Sequence, residues 1–254
     1  MSLEYAPRGL VGVLTPQANP TVEPEFSILL PAGMGMLAAR LVSNQPSIDR
    51  RLADYFNNLD QSVAQFGDAP LSAIGVACTG SSYIMGRENE ALLFCALSKR
   101  TGIHVTSSAL AVVDALRILQ AQRIGLVSPY PDSLLESSIK YWQSHGLNVQ
   151  AVSKVVMIPA LSSSTQPIYA IGSKSVMEAI DQLRGPSLDA IVMLGTGMPS
   201  LRSILHQPSF GAPVISCTLA LAWRCACALE KEDISPKSLH DWIAGTHWNV
   251  RMTH

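Results

Sequence analysis

The sequence has few charged residues and no excess of either sign. Charged side chains make up 15% of the 254 residues, below the roughly 25% usual for soluble domains. The 18 Lys and Arg nearly balance the 19 Asp and Glu, for a formal net charge of −1. This balance gives no basic surface for nucleic acid or an anionic membrane, so neither partner is expected. We expect copies of the chain to cover part of the weakly charged surface in a homo-oligomer.

Long apolar runs and a leader segment are also missing. The longest uncharged stretch, residues 203–223, is interrupted by proline and glycine, which is atypical of a membrane-spanning helix. Residues 1–10 contain Glu4 and Arg8 and no apolar core, so no signal peptide is predicted. A cytoplasmic location is the expectation.

The five cysteines predict neither a metal site nor a disulfide framework. None belongs to a CxxC pair, and no histidine is spaced from them as a zinc ligand would be. Cys95, Cys225 and Cys227 lie in apolar helical patterns and are predicted to be buried side chains. Cys78 and Cys217 each follow a predicted strand and are the candidate reactive thiols. Cys217 is the weaker candidate, because a buried helix start also explains it.

Short apolar, β-branched runs alternate with stretches of helical period along the chain. This alternation is typical of a doubly wound α/β fold with a parallel sheet covered on both faces. The predicted strands are residues 10–14, 73–77, 104–106, 123–127, 148–156, 190–194 and 213–216. The predicted helices are residues 48–66, 87–100, 110–120, 133–145, 173–183 and 219–230.

Three motifs of the first half recur in the same order in the second half, with offsets of 113, 117 and 109 residues. We therefore predict two pseudosymmetric α/β halves, residues 1–120 and 121–254. The boundary shifts if residues 105–120 and the C-terminal helices cross over to the opposite half. The motif pairs are residues 11–16 and 124–129, 73–80 and 190–197, and 105–111 and 214–220.

Ligands of parallel α/β sheets bind beyond the carboxyl ends of the strands, where each repeated motif ends. Two facing halves would line one cleft, with Cys78 opposite its repeat partner Gly195. Cys78 begins a strand-to-helix turn whose amides would lower the pKa of the thiol or bind a carboxylate. The alternative is a buried cysteine ahead of a capped helix. The neighbouring candidates for substrate binding are Thr79, Gly80 and Ser81 in the first half and Thr196 and Gly197 in the second.

Two loops add further candidates. Asn19 follows Pro16 at the end of the first strand, where its amide could bind a carboxylate or belong to a polar loop ahead of a helix. Tyr130 takes the equivalent strand end in the second half. Its phenol could hydrogen-bond a substrate oxygen, or the ring could simply pack in the loop.

With these motifs the sequence resembles the aspartate/glutamate racemase superfamily, and within it the maleate isomerase and arylmalonate decarboxylase branch. The segments that carry the resemblance are residues 16–19 with Glu23, 77–82, 128–130 and 195–200. The resemblance implies two pseudosymmetric halves, no metal, no organic cofactor and a small carboxylic or dicarboxylic acid as substrate. It makes Cys78 the first-half catalytic cysteine. Typical members have a second cysteine where this chain has Gly195.

The glycine at position 195 bears on which reaction is expected. Racemisation needs a proton donor and an acceptor on opposite faces of the α-carbon, so it is disfavoured. Decarboxylation of a malonate needs one proton donor, which Cys78 can be. It also needs backbone turns whose amides and hydroxyls stabilise the enediolate. Decarboxylation is the leading expectation. Isomerisation of a maleate-type acid with Cys78 as nucleophile is the alternative. A non-catalytic carboxylate-binding protein is the alternative from another class.

Overall fold

The computed structural model describes residues 3–156, 167–183, 187–206, 211–232 and 234–252. In these ranges the strands form two four-stranded sheets with helices around them, and every strand pairing is parallel. The predicted α/β fold with parallel sheets is confirmed.

The two sheets have the same strand order, β2-β1-β3-β4 and β6-β5-β7-β8. The repeated motifs therefore occupy equivalent strands, β1 with β5, β3 with β7 and β4 with β8. The first sheet contains β1 (Gly9–Pro16), β2 (Met34–Leu41), β3 (Leu71–Val76) and β4 (His104–Ser107). The second contains β5 (Arg123–Ser128), β6 (Asn148–Lys154), β7 (Ala190–Met193) and β8 (Val214–Ser216).

Helices follow most strands and cover the sheets. In the described ranges, no helix is long and apolar enough to cross a membrane. The helices of these ranges are α1 (Val22–Leu29), α2 (Ile48–Asn57), α3 (Leu59–Ala64), α4 (Thr79–Met85), α5 (Arg87–Thr101), α6 (Ser108–Ile118), α7 (Asp132–Ser144), α8 (Ser173–Asp181), α9 (Leu201–Leu205), α10 (Cys217–Glu230) and α11 (Pro236–Ile243).

Strand β2 and helices α1, α4, α9 and α11 are not among the predicted elements, and the helix predicted over residues 48–66 is divided. Two of these differences have local reasons. Strand β2 was not predicted, because it contains no β-branched residue, and as an edge strand it is only partly buried. The single helix predicted over residues 48–66 is two helices that meet at Asn58. The Asn58 side-chain amide donates to the backbone oxygen of Asp54 at 3.0 Å and to Asp54 Oδ1 at 2.7 Å, and these bonds hold the break.

Helix α10 begins after the last strand of the second sheet and packs against β1, β3 and β4 of the first. Gly75 in β3 makes this close approach possible, since a Cβ at that position would lie 2.8 Å from Cys225 Sγ. The two halves are thereby packed together through a helix from the C-terminal part of the chain. The division at residue 120 stays a prediction.

The prediction that three helical cysteines are buried is confirmed in α10 and wrong in α5. Cys225 and Cys227 are buried, as predicted. Cys95 is exposed, so that prediction is wrong. Helix α5 buries the face that carries Phe94, whereas Leu92 on the outer side is 72% exposed, and the apolar run in the sequence hides this difference.

Candidate active site

The carboxyl ends of strands from both sheets surround one small cavity of about 80 Å³. Pro16 ends β1 and Cys78 follows β3, while Tyr130 follows β5 and Thr196 follows β7. Eight of the ten predicted site residues line this cavity. They are Pro16, Asn19, Cys78, Thr79, Gly80, Tyr130, Thr196 and Gly197.

The remaining two, Ser81 and Gly195, lie behind the cavity wall. Ser81 Oγ is 3.2 Å from Cys78 Sγ, so Ser81 supports the thiol and does not line the cavity. We predicted that Gly195 would face the cavity opposite Cys78, and this is corrected. The hydroxyl of Tyr130 covers this position, since a Cβ on Gly195 would lie 2.8 Å from Tyr130 Oη.

Sequence reasoning missed seven lining residues, and Arg51 is the most informative of them. Arg51 is the one charged residue that lines the cavity, and in the described part of the chain its guanidinium has no ion-pair partner. No signal marks it in the sequence, because α2 lies outside the repeated motifs. The missed residues are Ile48, Arg51, Leu52, Tyr55, Leu134, Ile168 and Tyr169.

Cys78 stands at the start of α4 and is 4% exposed. We predicted a lowered pKa for this thiol, and the structure corrects the direction. Burial raises the pKa of Cys78, while hydrogen bonds from the Ser81 hydroxyl and from the backbone of Ser81 and Gly80 lower it by less. The helix-start amides act as expected, but desolvation outweighs them. The thiol is therefore mainly neutral near pH 7, and the thiolate fraction grows as pH rises.

Hydrogen bonds across the cleft fix the loop of the second half. Asn19 Nδ2 donates to the backbone oxygen of Thr196 at 3.2 Å and is 3.3 Å from Thr196 Oγ1. Thr21 Oγ1 donates to the backbone oxygen of Gly197 at 2.8 Å, and Thr196 Oγ1 donates to that of Ala77 at 2.8 Å. The amide of Asn19 is thus engaged with Thr196, and its first role in this structure is to position that loop.

Tyr130 is held between the halves. Its ring packs edge-on against Tyr83 of α4, with ring centroids 6.1 Å apart, and its backbone N–H donates to Ser128 Oγ at 3.2 Å. Burial raises the pKa of Tyr130 well above the ordinary value of 10. The phenol is therefore neutral and keeps a proton that it can donate in a hydrogen bond.

The second candidate thiol, Cys217, does not line the cavity. It is buried at the start of α10, and its Sγ donates to the backbone oxygen of Met193 at 3.2 Å. Burial raises its pKa to about 11. Within the ranges that the structure describes, no three Cys, His, Asp or Glu residues are grouped so as to hold a metal ion.

A buried carboxyl group, that of Glu25, holds the loop that follows β7. Glu25 of α1 accepts hydrogen bonds from the Ser200 backbone N–H at 2.5 Å and from Ser200 Oγ at 2.8 Å. Ser200 precedes α9 and follows the Gly195–Gly197 turn. Burial raises the pKa of Glu25 from 4.5 to about 7.

This carboxyl group should make stability depend on pH. Because the folded pKa of Glu25 is raised to about 7, its contribution to the free energy of unfolding is present at pH 4 and is lost as pH rises towards 7. Glu25→Gln should remove that loss, and at pH 8 it should be more stable relative to wild type than at pH 4, by about 2–3 kcal/mol. Urea unfolding of both proteins at pH 4, 6 and 8 measures this difference. A difference that stays constant with pH would contradict the assignment.

Comparison with known proteins places the fold and the cavity in a family. Residues 11–239 match the family model described as arylmalonate decarboxylase. The chain is 25% identical over 240 residues to a maleate isomerase of Pseudomonas putida, covering 89% of this chain and 94% of the relative.

Two solved structures extend the likeness to the fold. One is a Nocardia farcinica maleate cis-trans isomerase with one cysteine replaced by serine and a covalently bound succinylcysteine intermediate. It is 27% identical, has a TM-score of 0.76 and covers 87% of this chain and 93% of its own. The other is a liganded arylmalonate decarboxylase with a glycine-to-cysteine and a cysteine-to-serine replacement. It is 18% identical, has a TM-score of 0.72 and covers 87% and 92% of the two chains, and it shows the shared fold alone.

These matches confirm the resemblance to the maleate isomerase and arylmalonate decarboxylase branch, and they confirm that the protein is an enzyme of that branch. Because the family model spans residues 11–239 and so includes all but the first two residues of the sheets and every residue described as lining the cavity, the chain belongs to the arylmalonate decarboxylase family.

Proposed function

We propose that this enzyme converts a small cis-unsaturated dicarboxylic acid of the maleate class into its trans isomer, with Cys78 as the nucleophile. The observation that carries the proposal is that a buried thiol and the Arg51 guanidinium, which has no ion-pair partner among the described residues, line the same small cavity. The relatives at 25% and 27% identity are maleate isomerases, and one of them holds a succinylcysteine intermediate. They support isomerisation better than the decarboxylation that was the leading expectation.

The reaction needs one covalent step and its reversal. The Cys78 thiolate attacks one alkene carbon and forms an S–C bond, while the π electron pair moves to the other carbon and its carboxylate. The bond between the two carbons is then single and can rotate. Re-formation of the double bond breaks the S–C bond, releases the thiolate and leaves the trans acid.

The cavity offers different partners for the two carboxylates. Arg51 can form a charge-assisted pair with one of them, and among the described residues no carboxylate lines the cavity to compete for it. Thr79, Gly80 and Tyr130 line the remaining wall and are uncharged partners for the other. Such donors stabilise the negative charge that moves onto this carboxylate when the thiolate adds.

Decarboxylation of a substituted malonate is the second candidate, and the description of the matching family favours it. There Cys78 would give a proton to the enediolate, and a thiol kept neutral by burial suits a donor. A cavity of about 80 Å³ limits this reaction to small substituents, since pockets for drug-sized ligands measure about 300–1,000 Å³.

Proton NMR of the enzyme with maleate, and separately with methylmalonate, tests the proposal. We expect the maleate alkene signal to be replaced by that of fumarate, without release of carbon dioxide. Since the thiolate is the reactive form and burial raises the pKa of Cys78, the rate should rise between pH 7 and pH 9. Absence of fumarate would overturn the proposal, and carbon dioxide from methylmalonate would favour the second candidate.

A further inference from the structure

We propose that Tyr130 is the second catalytic group of this site, giving a proton to the alkene carbon next to the one that Cys78 attacks and taking a proton from that carbon during elimination. The inference rests on the proposed isomerisation. The proposal gives the site a general acid and base. The second half of the fold has Gly195, and no reactive side chain, at the position that corresponds to Cys78 in the repeat.

The first observation is the space in front of Gly195. This residue has φ +84°, and a Cβ built on it would lie 2.8 Å from Tyr130 Oη and 3.3 Å from Tyr130 Cζ. The phenol oxygen therefore occupies the volume that a side chain at position 195 would fill. Position 195 is the repeat partner of Cys78, so Tyr130 places a proton-bearing group where the second half of the fold would otherwise present residue 195.

The second observation is that Tyr130 and Cys78 line one cavity from different halves. Cys78 follows β3 of the first sheet, and Tyr130 follows β5 of the second. A small planar acid between them meets a sulfur atom from one half and a phenol oxygen from the other. This arrangement suits addition across a double bond, in which sulfur and hydrogen are added to adjacent carbons.

The step balances in atoms and in charge. The thiolate forms an S–C bond to one carbon, and the phenol O–H breaks as its proton forms a C–H bond at the other. The product is a neutral thioether on Cys78 and a phenolate on Tyr130. After rotation the phenolate removes a proton from the same carbon, the double bond re-forms, and the S–C bond breaks to restore the thiolate and the phenol.

The two groups carry one negative charge between them throughout. Burial is the main cause of the raised pKa of Tyr130, followed by the negative charge of ionised Cys217 and then of ionised Cys78. A Cys78 thiolate therefore adds to the effect of burial and helps to keep the phenol protonated. Once Cys78 is a thioether that charge is gone, and the phenol becomes easier to ionise. The thiolate and the phenolate are therefore not required to exist together in the buried cavity.

Steady-state kinetics of Tyr130→Phe with maleate, alone and combined with changes at position 195, test the inference. Tyr130→Phe should lower kcat about 100-fold to 10,000-fold, in the range of general acid–base catalysis, with a much smaller change in KM. Adding Gly195→Cys should restore at least about tenfold, because loss of the Tyr130 hydroxyl removes the atom nearest to the Cβ position of residue 195 and a thiol there can transfer a proton. Adding Gly195→Ala is the matched control, since it fills the same position under the same backbone strain and should restore nothing. Thermal unfolding of the variants shows that each is folded.

The outcomes separate the two proposals. A wild type that forms no fumarate overturns the isomerisation and the role of Tyr130 with it. A wild type that isomerises maleate while Tyr130→Phe changes KM alone, or keeps its kcat within a few-fold, overturns the role of Tyr130 and leaves the isomerisation standing. Equal recovery with Gly195→Cys and Gly195→Ala also overturns it, because alanine carries no transferable proton.

Discussion

Cys78→Ser should lower the turnover of maleate by about 1,000-fold or more. Serine keeps nearly the volume of cysteine, so the buried site at the start of α4 can retain its packing. A serine hydroxyl with no base beside it is a far weaker nucleophile than a thiolate, and covalent addition is lost. The rate of fumarate formation, measured at pH 7 and pH 9, checks the prediction.

Cys217→Ser is the matched control for this change. Cys217 is also a buried thiol at the start of a helix, but it does not line the cavity, and a serine there can still donate to the backbone oxygen of Met193. We expect activity within a few-fold of wild type. Turnover that survives in Cys78→Ser, or is lost equally in Cys217→Ser, would show that Cys78 is not the nucleophile.

Arg51→Gln should raise KM for maleate by about 10-fold to 100-fold with a smaller effect on kcat. Within the part of the chain that the structure describes, its guanidinium is the one positive charge that lines the cavity. A hydrogen bond to a charged group contributes about 1.5–3 kcal/mol, which corresponds to this range of affinity. The KM of Arg51→Lys should lie between those of the wild type and Arg51→Gln, since an ammonium keeps the charge but cannot form the bidentate hydrogen bonds of a guanidinium. Initial rates over a range of maleate concentrations measure both constants.

The neighbouring residue supplies the control. Arg50 lies on the same helix, is exposed and does not line the cavity. Arg50→Gln makes the same change in net charge and should leave KM near the wild-type value. If both variants raise KM equally, the effect is a general electrostatic attraction and Arg51 does not bind the substrate directly.

The repeated strands could be predicted because their continuous apolar sequences indicate that they are buried on both faces. Residues of β7 are buried without exception, and a strand covered on both faces must be apolar along its whole length. Strand β2 could not be predicted, because its edge position requires no such run. Cys78 and Thr196 lie in one pair of repeated motifs, and Tyr130 directly follows another. The topology brings the ends of these motifs to one cleft, which is why eight of the lining residues could be predicted.

What the sequence could not supply depends on distances between elements. Arg51 reaches the cavity because α2 packs beside α4, and no motif announces that contact. The direction of the Cys78 pKa depends on how deeply the turn is buried, and the local sequence shows only the helix start. The sequence likewise shows that Gly195 has no side chain, but only the structure shows that the hydroxyl of Tyr130 fills the space.

Rapid acid quenching of the enzyme during turnover, followed by peptide mass spectrometry, tests the central claim that Cys78 adds to the double bond. We predict that the peptide containing Cys78 gains the mass of one maleic acid, with either maleate or fumarate as the starting acid. The peptides that contain Cys95 and Cys217 should stay unmodified. Fumarate formation with Cys78 never modified, or an adduct on another cysteine, would contradict the account.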